Sequence, residues 1–338
     1  MPTVLRVRPA LPRPGFFEAG FLTAGFAAVL FGTLILIAVG GLAVVALRDE
    51  LASLTAPPDA KPNSVSALPP SIATLLAWSF PLGYLAGFVF TVIVFRVVAK
   101  RGWALEIGLG RLPPVHLGLA LLVLPAFVIL SDGLAQLLFR LFRMEHLLDQ
   151  SGDLGELFRD FHPAFVFVAI GVGPGVVEEL WCRGFLGRGL VGRYGWLKGV
   201  TLSSLFFGLL HLYPPPYVLV TAAMGACLHF AYACSRSLWV PIVIHTINNG
   251  FAGLAAVGAV PTGGMERAVA GAPALVFPLA AAVLATCGWA AWTARAVADG
   301  PRGVMEPPSG VVDRWPSPVA GALALLTAGA LAAVLATS

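Results

Sequence analysis

Charged side chains are scarce in this chain of 338 residues, which carries 21 Lys and Arg against 17 Asp and Glu. They make up 11% of the sequence, whereas hydrophobic residues make up 58%. A soluble domain carries about 25% charged residues, so this composition excludes an ordinary water-soluble fold and favours a protein embedded in a bilayer. Basic residues beside membrane spans account for the net charge of +4, and we expect no nucleic-acid partner.

Cysteine is also rare, with four residues in the chain. Cys182, Cys227, Cys234 and Cys287 all fall within or beside apolar stretches, and no two of them form a C-x-x-C pair. This spacing favours neither a disulfide framework nor a zinc ribbon.

Long apolar runs dominate what is present. A helix needs about 20 apolar residues to cross a hydrocarbon core of about 30 Å. The sequence therefore predicts an all-α, polytopic membrane bundle of eight to nine transmembrane helices, forming one membrane domain over residues 1–338. The nine candidate runs are 16–47, 72–98, 115–138, 163–186, 196–212, 217–234, 238–257, 268–294 and 318–337.

Lys and Arg are concentrated in alternate loops between these runs. The N-terminal arm and the loops after the second, fourth, sixth and eighth runs carry the excess, whereas the loops after the first and third contain more acids than bases. Short cytoplasmic loops are enriched in Lys and Arg. We therefore expect a multi-pass membrane protein with its N-terminus in the cytoplasm.

Three ionisable residues interrupt the fourth run: Glu178, Glu179 and Arg183. Each charge near a bilayer centre costs roughly 2.5 to 3.5 kcal/mol on insertion scales, so a specific gain is expected from them. Glu179 and Arg183 are four residues apart and share a helix face, which predicts an ion pair. Glu178 points about 140° away from Arg183 and is left as the carboxylate available for general-base chemistry. A buried structural network or an aqueous vestibule is the alternative.

A glycine-rich segment, residues 171–175, precedes the two glutamates and contains Pro174. It is not a dinucleotide-binding loop, because Val176 stands where that motif needs its last glycine. Proline cannot donate a backbone hydrogen bond, and glycine lets the backbone bend. We therefore expect a kink that re-aims the turn bearing the acids.

Polar residues recur in two later runs. Phe207 and His211 are four residues apart in the fifth run, and His245 and Asn249 are four apart in the seventh, so that each pair shares a helix face. A lone histidine in a span more often makes a structural hydrogen bond. In a chain that also buries two acids, histidine can help to activate water, and histidine and asparagine can donate to an oxyanion.

The motifs E-E-x-x-x-R, F-x-x-x-H and H-x-x-x-N, in that order on three apolar helices, resemble those of the CPBP family of intramembrane proteases. That family includes the eukaryotic CAAX prenyl endopeptidase and bacterial relatives linked to bacteriocin processing and immunity. The resemblance covers roughly residues 163–257, which we expect to be the catalytic core. The matching residues are Glu178, Glu179, Arg183, Phe207, His211, His245 and Asn249.

The resemblance implies an endopeptidase that hydrolyses peptide bonds of membrane proteins or lipidated peptides, of the prenylated CAAX or bacteriocin type. It also implies a catalytic set: Glu178 with His211 to activate water, His245 with Asn249 to stabilise the oxyanion, and Glu179 with Arg183 as the supporting pair.

Cofactor use and two rival functions stay open. We expect no cofactor, since the chain has no H-E-x-x-H motif and asparagine is a poor zinc ligand. The alternative is a zinc ion held by Glu178, His211 and His245 with an open position for water. A proton-coupled transporter would also place Glu, Arg and His in broken helices, although no paired broken segments occur in the two halves of the chain. A non-catalytic scaffold with the family fold is the other rival.

Overall fold

The fold is described by a computed structural model that covers residues 14–55, 70–99, 103–147, 152–212, 214–295 and 315–337. Within these ranges the chain is helical and contains no strand, which confirms the all-α prediction. The helices are α1 (Phe16–Thr55), α2 (Pro70–Ala99), α3 (Trp103–Glu106), α4 (Pro114–Leu141), α5 (Gly152–Phe158), α6 (Pro163–Tyr194), α7 (Trp196–Leu209), α8 (Pro215–Ser235), α9 (Trp239–Ala256), α10 (Gly263–Gly271), α11 (Pro273–Thr293) and α12 (Pro318–Ala336).

Seven of the described helices are long and apolar enough to cross a membrane: α1, α2, α4, α6, α8, α11 and α12. A polytopic bundle is therefore confirmed, whereas the expected count of eight to nine spans is not. The ninth predicted span is present as α12, and the eighth is divided at Ala272 into α10 and α11.

The fifth predicted span is shorter than expected, because α7 has 14 residues and ends at Leu209. A tight turn follows it, and the chain then enters Pro214, whose ring cannot continue a helix. The seventh predicted span, α9, has 18 residues, but His245 and two asparagines make it less apolar than the seven.

Helix α6 is the most buried of the seven spans, and α1 is the most exposed. Trp181 of α6 is fully buried and stacks on Phe26 of α1, with ring centroids 4.8 Å apart. Phe90 of α2 packs against the same indole at 5.7 Å. The helix that carries the two glutamates therefore lies at the centre of the bundle, with α1 and α2 along one side of it.

The geometry of α6 changes twice along its length. Phe167–Val172 and Leu180–Gly187 are π-helical, and the α-helical segment Gly173–Glu179 lies between them. Pro174 lies inside α6, at the junction between the first π segment and this α-helical segment, and its missing N–H leaves a carbonyl of the preceding turn without a helical donor. The distortion expected here is thus a change of helix type, and π turns occur frequently at functional sites.

One row of residues spaced by four runs along α6: Gly171, Gly175, Glu179, Arg183 and Gly187. In a regular α-helix such a row drifts around the axis, because a turn takes 3.6 residues. A π turn takes up an additional residue and offsets that drift. The π segments therefore help to keep the two charged side chains on the same side of α6 as the glycines.

The glycines in this row let α9 approach α6 closely. A Cβ added at Gly171 would lie 2.9 Å from the Cα of Gly250, and one added at Gly175 would lie 2.8 Å from the backbone nitrogen of Thr246. Both distances are far below van der Waals contact, so only glycine fits at either position. This backbone-to-backbone packing brings α9 beside the turn of α6 that bears the acids.

We predict that Gly171→Ala destabilises the protein by about 1 to 3 kcal/mol, because the added methyl group must push the α9 backbone away. Gly118→Ala is the matched control, since a Cβ at Gly118 in α4 would meet no described atom within 4 Å. Thermal unfolding of both variants in detergent tests the prediction. Equal melting temperatures for the two variants would contradict it.

Candidate active site

The predicted ion pair on α6 is present. Arg183 Nη1 lies 2.5 Å from Glu179 Oε1, and the two side chains are 2% and 0% exposed. The second guanidinium nitrogen donates to the backbone oxygen of Gly225 in α8 at 3.0 Å, and the guanidinium lies 4.3 Å from the ring centroid of Phe207 in α7. Arg183 therefore links α6 to α7 and α8 as well as neutralising Glu179.

His245 of α9 bonds to the same carboxylate. Its Nδ1 lies 2.8 Å from Glu179 Oε1, and its Nε2 lies 3.0 Å from Asn249 Nδ2. Asn248 donates to Asn249 Oδ1, which orients the Asn249 amide so that its nitrogen faces the histidine. This network assigns the proton to Nδ1, which donates to Glu179, and leaves Nε2 to accept from Asn249.

The other glutamate, Glu178, faces a different helix. Its Oε1 accepts a hydrogen bond from the hydroxyl of Tyr84 in α2 at 2.9 Å. Its Oε2 is buried and has no hydrogen-bond partner among the described residues. That oxygen lies 4.0 Å from His245 Nε2, beyond hydrogen-bond distance. Since His245 Nε2 already accepts from Asn249, Glu178 Oε2 is the atom with unused acceptor capacity, which one water molecule could satisfy by donating to it.

His211 lies in the turn after α7 and is half-buried. Its Nδ1 donates to the backbone oxygen of Phe207 at 3.0 Å, which leaves Nε2 as the acceptor. The Phe207 ring contacts both histidines edge-on, with centroids 5.0 Å from His211 and 5.7 Å from His245. In the part of the chain that the structure describes, His211 therefore joins the group through Phe207 and not through a hydrogen bond to Glu178.

Tyr84 is the residue that the sequence interpretation missed. It lies in the second apolar run, 94 positions before Glu178, and belongs to none of the three motifs. Its ring packs against α6, where a Cβ on Gly173 would come within 3.1 Å of it. A tyrosine hydroxyl inside an apolar span needs a polar partner, and that need is the signal that could have identified it.

The zinc alternative requires Glu178, His211 and His245 to converge. Across the described ranges, no three His, Cys, Asp or Glu side chains lie close enough together to hold a metal ion. As these side chains are placed, they do not fit the proposed zinc site.

The segment that carries the candidate active site is similar to a known protein family. Residues 160–251 match the model of the family described as Rce1-like, type II CAAX prenyl endopeptidase, and this segment contains all seven motif residues. The chain is also 32% identical, over 89 residues, to a Bacillus subtilis (strain 168) protein named "Putative membrane peptidase YdiL". That match covers 26% of this chain and 36% of the relative, so only about a third of the relative is spanned. No solved structure matches the chain. The resemblance inferred from the motifs is thus confirmed for the segment that carries them.

We predict that Arg183→Ala lowers stability by about 3 to 5 kcal/mol, because it leaves the carboxylate of Glu179 buried beside a lone histidine. Arg140→Ala, at an exposed position near the end of α4, is the matched control and should change stability little. Denaturation in mixed micelles measures both. A loss no larger than that of the control would show that the ion pair is dispensable.

Proposed function

Since residues 160–251 resemble the Rce1-like CAAX prenyl endopeptidases, we propose that this protein hydrolyses peptide bonds within the membrane by means of Glu178-activated water. The observation that carries the proposal is the unpartnered Glu178 Oε2, which faces His245 Nε2 across 4.0 Å inside the bundle. A buried carboxylate oxygen with free acceptor capacity is what a general base requires.

The nucleophilic step begins with a water molecule beside Glu178 Oε2. The water donates one hydrogen bond to Glu178 Oε2 and the other to His211 Nε2, which directs its lone pair at the carbonyl carbon of the scissile bond. As the new C–O bond forms, one water proton passes to Glu178. Breaking the C–N bond then requires that proton on the leaving amine, and the products are a carboxylate and an amine.

The negative charge that develops on the carbonyl oxygen needs donors. Asn249 has two amide protons, of which one is used on His245, so the second is available to the oxyanion. His211 keeps the role that the resemblance implies, as the partner of Glu178 in water activation. Its Nε2 is left for that purpose because Nδ1 is held by the Phe207 carbonyl.

Three residues hold this arrangement without contacting the substrate. Tyr84 donates to Glu178 Oε1 and so fixes the carboxylate with Oε2 turned toward His245. Glu179 accepts from His245 Nδ1 and keeps that ring in the tautomer whose Nε2 accepts. Arg183 neutralises Glu179, so the extra negative charge beside the reacting groups is compensated.

The substrates proposed for this site are membrane-embedded or lipidated peptides, of the prenylated CAAX or bacteriocin type. We propose a bacterial plasma membrane location with the N-terminus in the cytoplasm, and a mechanism that needs no metal.

We predict that Glu178→Gln abolishes cleavage of membrane-anchored peptides by the purified protein in liposomes, with kcat reduced about 10² to 10⁴-fold. The matched control is Glu266→Gln, an exposed position in the first turn of α10, which should cleave at the wild-type rate. Full cleavage by a folded Glu178→Gln protein would contradict the mechanism.

The same liposomes separate the rival functions. Activity that survives a chelator supports the metal-free mechanism, whereas activity that is lost and then restored by zinc contradicts it. Proton-driven solute uptake without peptide cleavage would identify a transporter. Neither cleavage nor uptake across a broad peptide panel would favour a scaffold.

We predict that Tyr84→Phe lowers kcat about tenfold or more and leaves KM nearly unchanged, because a hydrogen bond to a charged group contributes about 1.5 to 3 kcal/mol. Tyr217→Phe, at an exposed position in α8, is the matched control. A change in KM alone would show that Tyr84 contacts the substrate and does not position Glu178.

A further inference from the structure

A cavity of about 480 Å³ lies among α4, α8, α9 and α11. Its lining is apolar apart from His116, Cys227 and Cys287, and it includes none of the seven motif residues. Ile244 lines the cavity while its neighbour His245 belongs to the candidate active site, so α9 forms a wall between the two. A cavity of this size is typical of a small-molecule site, and its lining favours a hydrocarbon ligand.

The depth of the cavity matches one leaflet of a bilayer. Its lining along α4 extends from His116 in the first turn to Phe127, a rise of about 16 Å at 1.5 Å per residue. The hydrocarbon core of a bilayer is about 30 Å thick, so half of it is close to this depth. Ala231, Val240 and Ala291 place the cavity at the end of the bundle where α8 turns into α9.

Arginines lie at that same end, each within five positions of a residue that lines the cavity. Arg111 precedes His116, Arg236 precedes Val240, and Arg295 follows Ala291. We call Arg111, Arg236 and Arg295 the arginine end, since all three lie beside the ends of the helices that line the cavity.

Hydrogen bonds and close packing hold the backbone segments of Arg111 and Arg236 together. The Ser237 hydroxyl donates to the backbone oxygen of Arg111 at 2.5 Å, and the Trp239 indole donates to that of Leu109 at 2.7 Å. Gly108, with φ of +80°, brings the same loop against the backbone oxygen of Arg236. The segment before α4 is thus fixed on the turn between α8 and α9.

The arginine pair is suited to an anion. Burial and the positive charge of Arg111 lower the pKa of Arg236 from its ordinary value. Nη1 of Arg236 is buried and has no hydrogen-bond partner among the described residues. A phosphate placed here would relieve the repulsion between the two cations and accept charge-assisted hydrogen bonds.

Aromatic residues mark the arginine end as a membrane interface. Trp292 is half-exposed, and the Arg295 guanidinium lies 4.1 Å from the centroid of its ring. Trp292 also stacks on Phe230, which lines the cavity, with centroids 6.4 Å apart. Tryptophan beside arginine is typical of the level of lipid headgroups.

We propose that this cavity binds one acyl chain of an anionic phospholipid, with the lipid phosphate held by Arg236 and Arg111. The chain occupies the apolar cavity over the depth of one leaflet, and the arginines select the headgroup by its negative charge. The site is separate from the candidate active site and does not depend on the proposed function.

Native mass spectrometry of the detergent-solubilised full chain tests this site with phosphatidylglycerol and phosphatidylcholine of equal chain length. We expect the wild type to retain a single phosphatidylglycerol in preference to phosphatidylcholine. Gly288→Leu fills the cavity, since a Cβ there meets only Phe230 at 3.8 Å, and should weaken retention about tenfold or more. Gly329→Leu, whose Cβ would meet no described atom within 4 Å, is the matched control.

The headgroup is tested by Arg236→Gln, which should remove the preference for phosphatidylglycerol, with the exposed Arg140→Gln as its control. A wild-type photocrosslink from a phosphatidylglycerol acyl chain to cavity-lining residues is expected, and it tests the site without any variant. Equal retention of both lipids by the wild type would overturn the proposal, as would equal retention by the two glycine variants. If Gly288→Leu instead weakens only lipidated peptide binding, the cavity serves the substrate and the proposal fails.

Discussion

The buried carboxylate of Glu179 is the contact on which the arrangement of the surrounding helices depends. A lone charge at this depth would be very costly, and here it is compensated by Arg183 on its own helix and by His245 on α9. Arg183 in turn bonds to the Gly225 carbonyl of α8 and lies over Phe207 of α7. One acidic group therefore fixes four helices relative to one another. His245 takes its position from that network, whereas the proposed general base, Glu178, is held by Tyr84 of α2.

Such a network needs helices that approach more closely than ordinary side chains allow. Between membrane helices the hydrophobic effect gives little driving force, so packing of small residues and interhelical hydrogen bonds must supply the association. Gly171 and Gly175 provide the close approach to α9, and the π segments keep the glycine row and the charged pair on one side of α6. The π segments of α6 and its charged pair thus both contribute to the packing of α6 against α9.

One face of helix α9 contacts the polar network of the candidate active site, and another lines the apolar cavity. His245 and Asn249 lie in the polar network, whereas Ile244, the preceding residue, lines the apolar cavity. A lipid chain in that cavity would support α9 on a face adjacent to the one that carries His245. Packing of this kind resists displacement of a helix, since well-packed interiors have few voids and low compressibility. The proposed lipid and the proposed active site would then both contact α9.

The sequence by itself determined the features that depend on local spacing and composition: the membrane class, the all-α fold, the Glu179–Arg183 pair and the face shared by His245 and Asn249. These follow from helix periodicity, which relates residues only three or four positions apart. The tertiary structure alone decided that Tyr84 bonds to Glu178, that His245 bonds to Glu179, and that α7 stops short of a full span. Tyr84 and Glu178 are 94 positions apart, and no periodicity connects them. Such contacts arise only when helices pack, because packing selects which faces of distant segments meet.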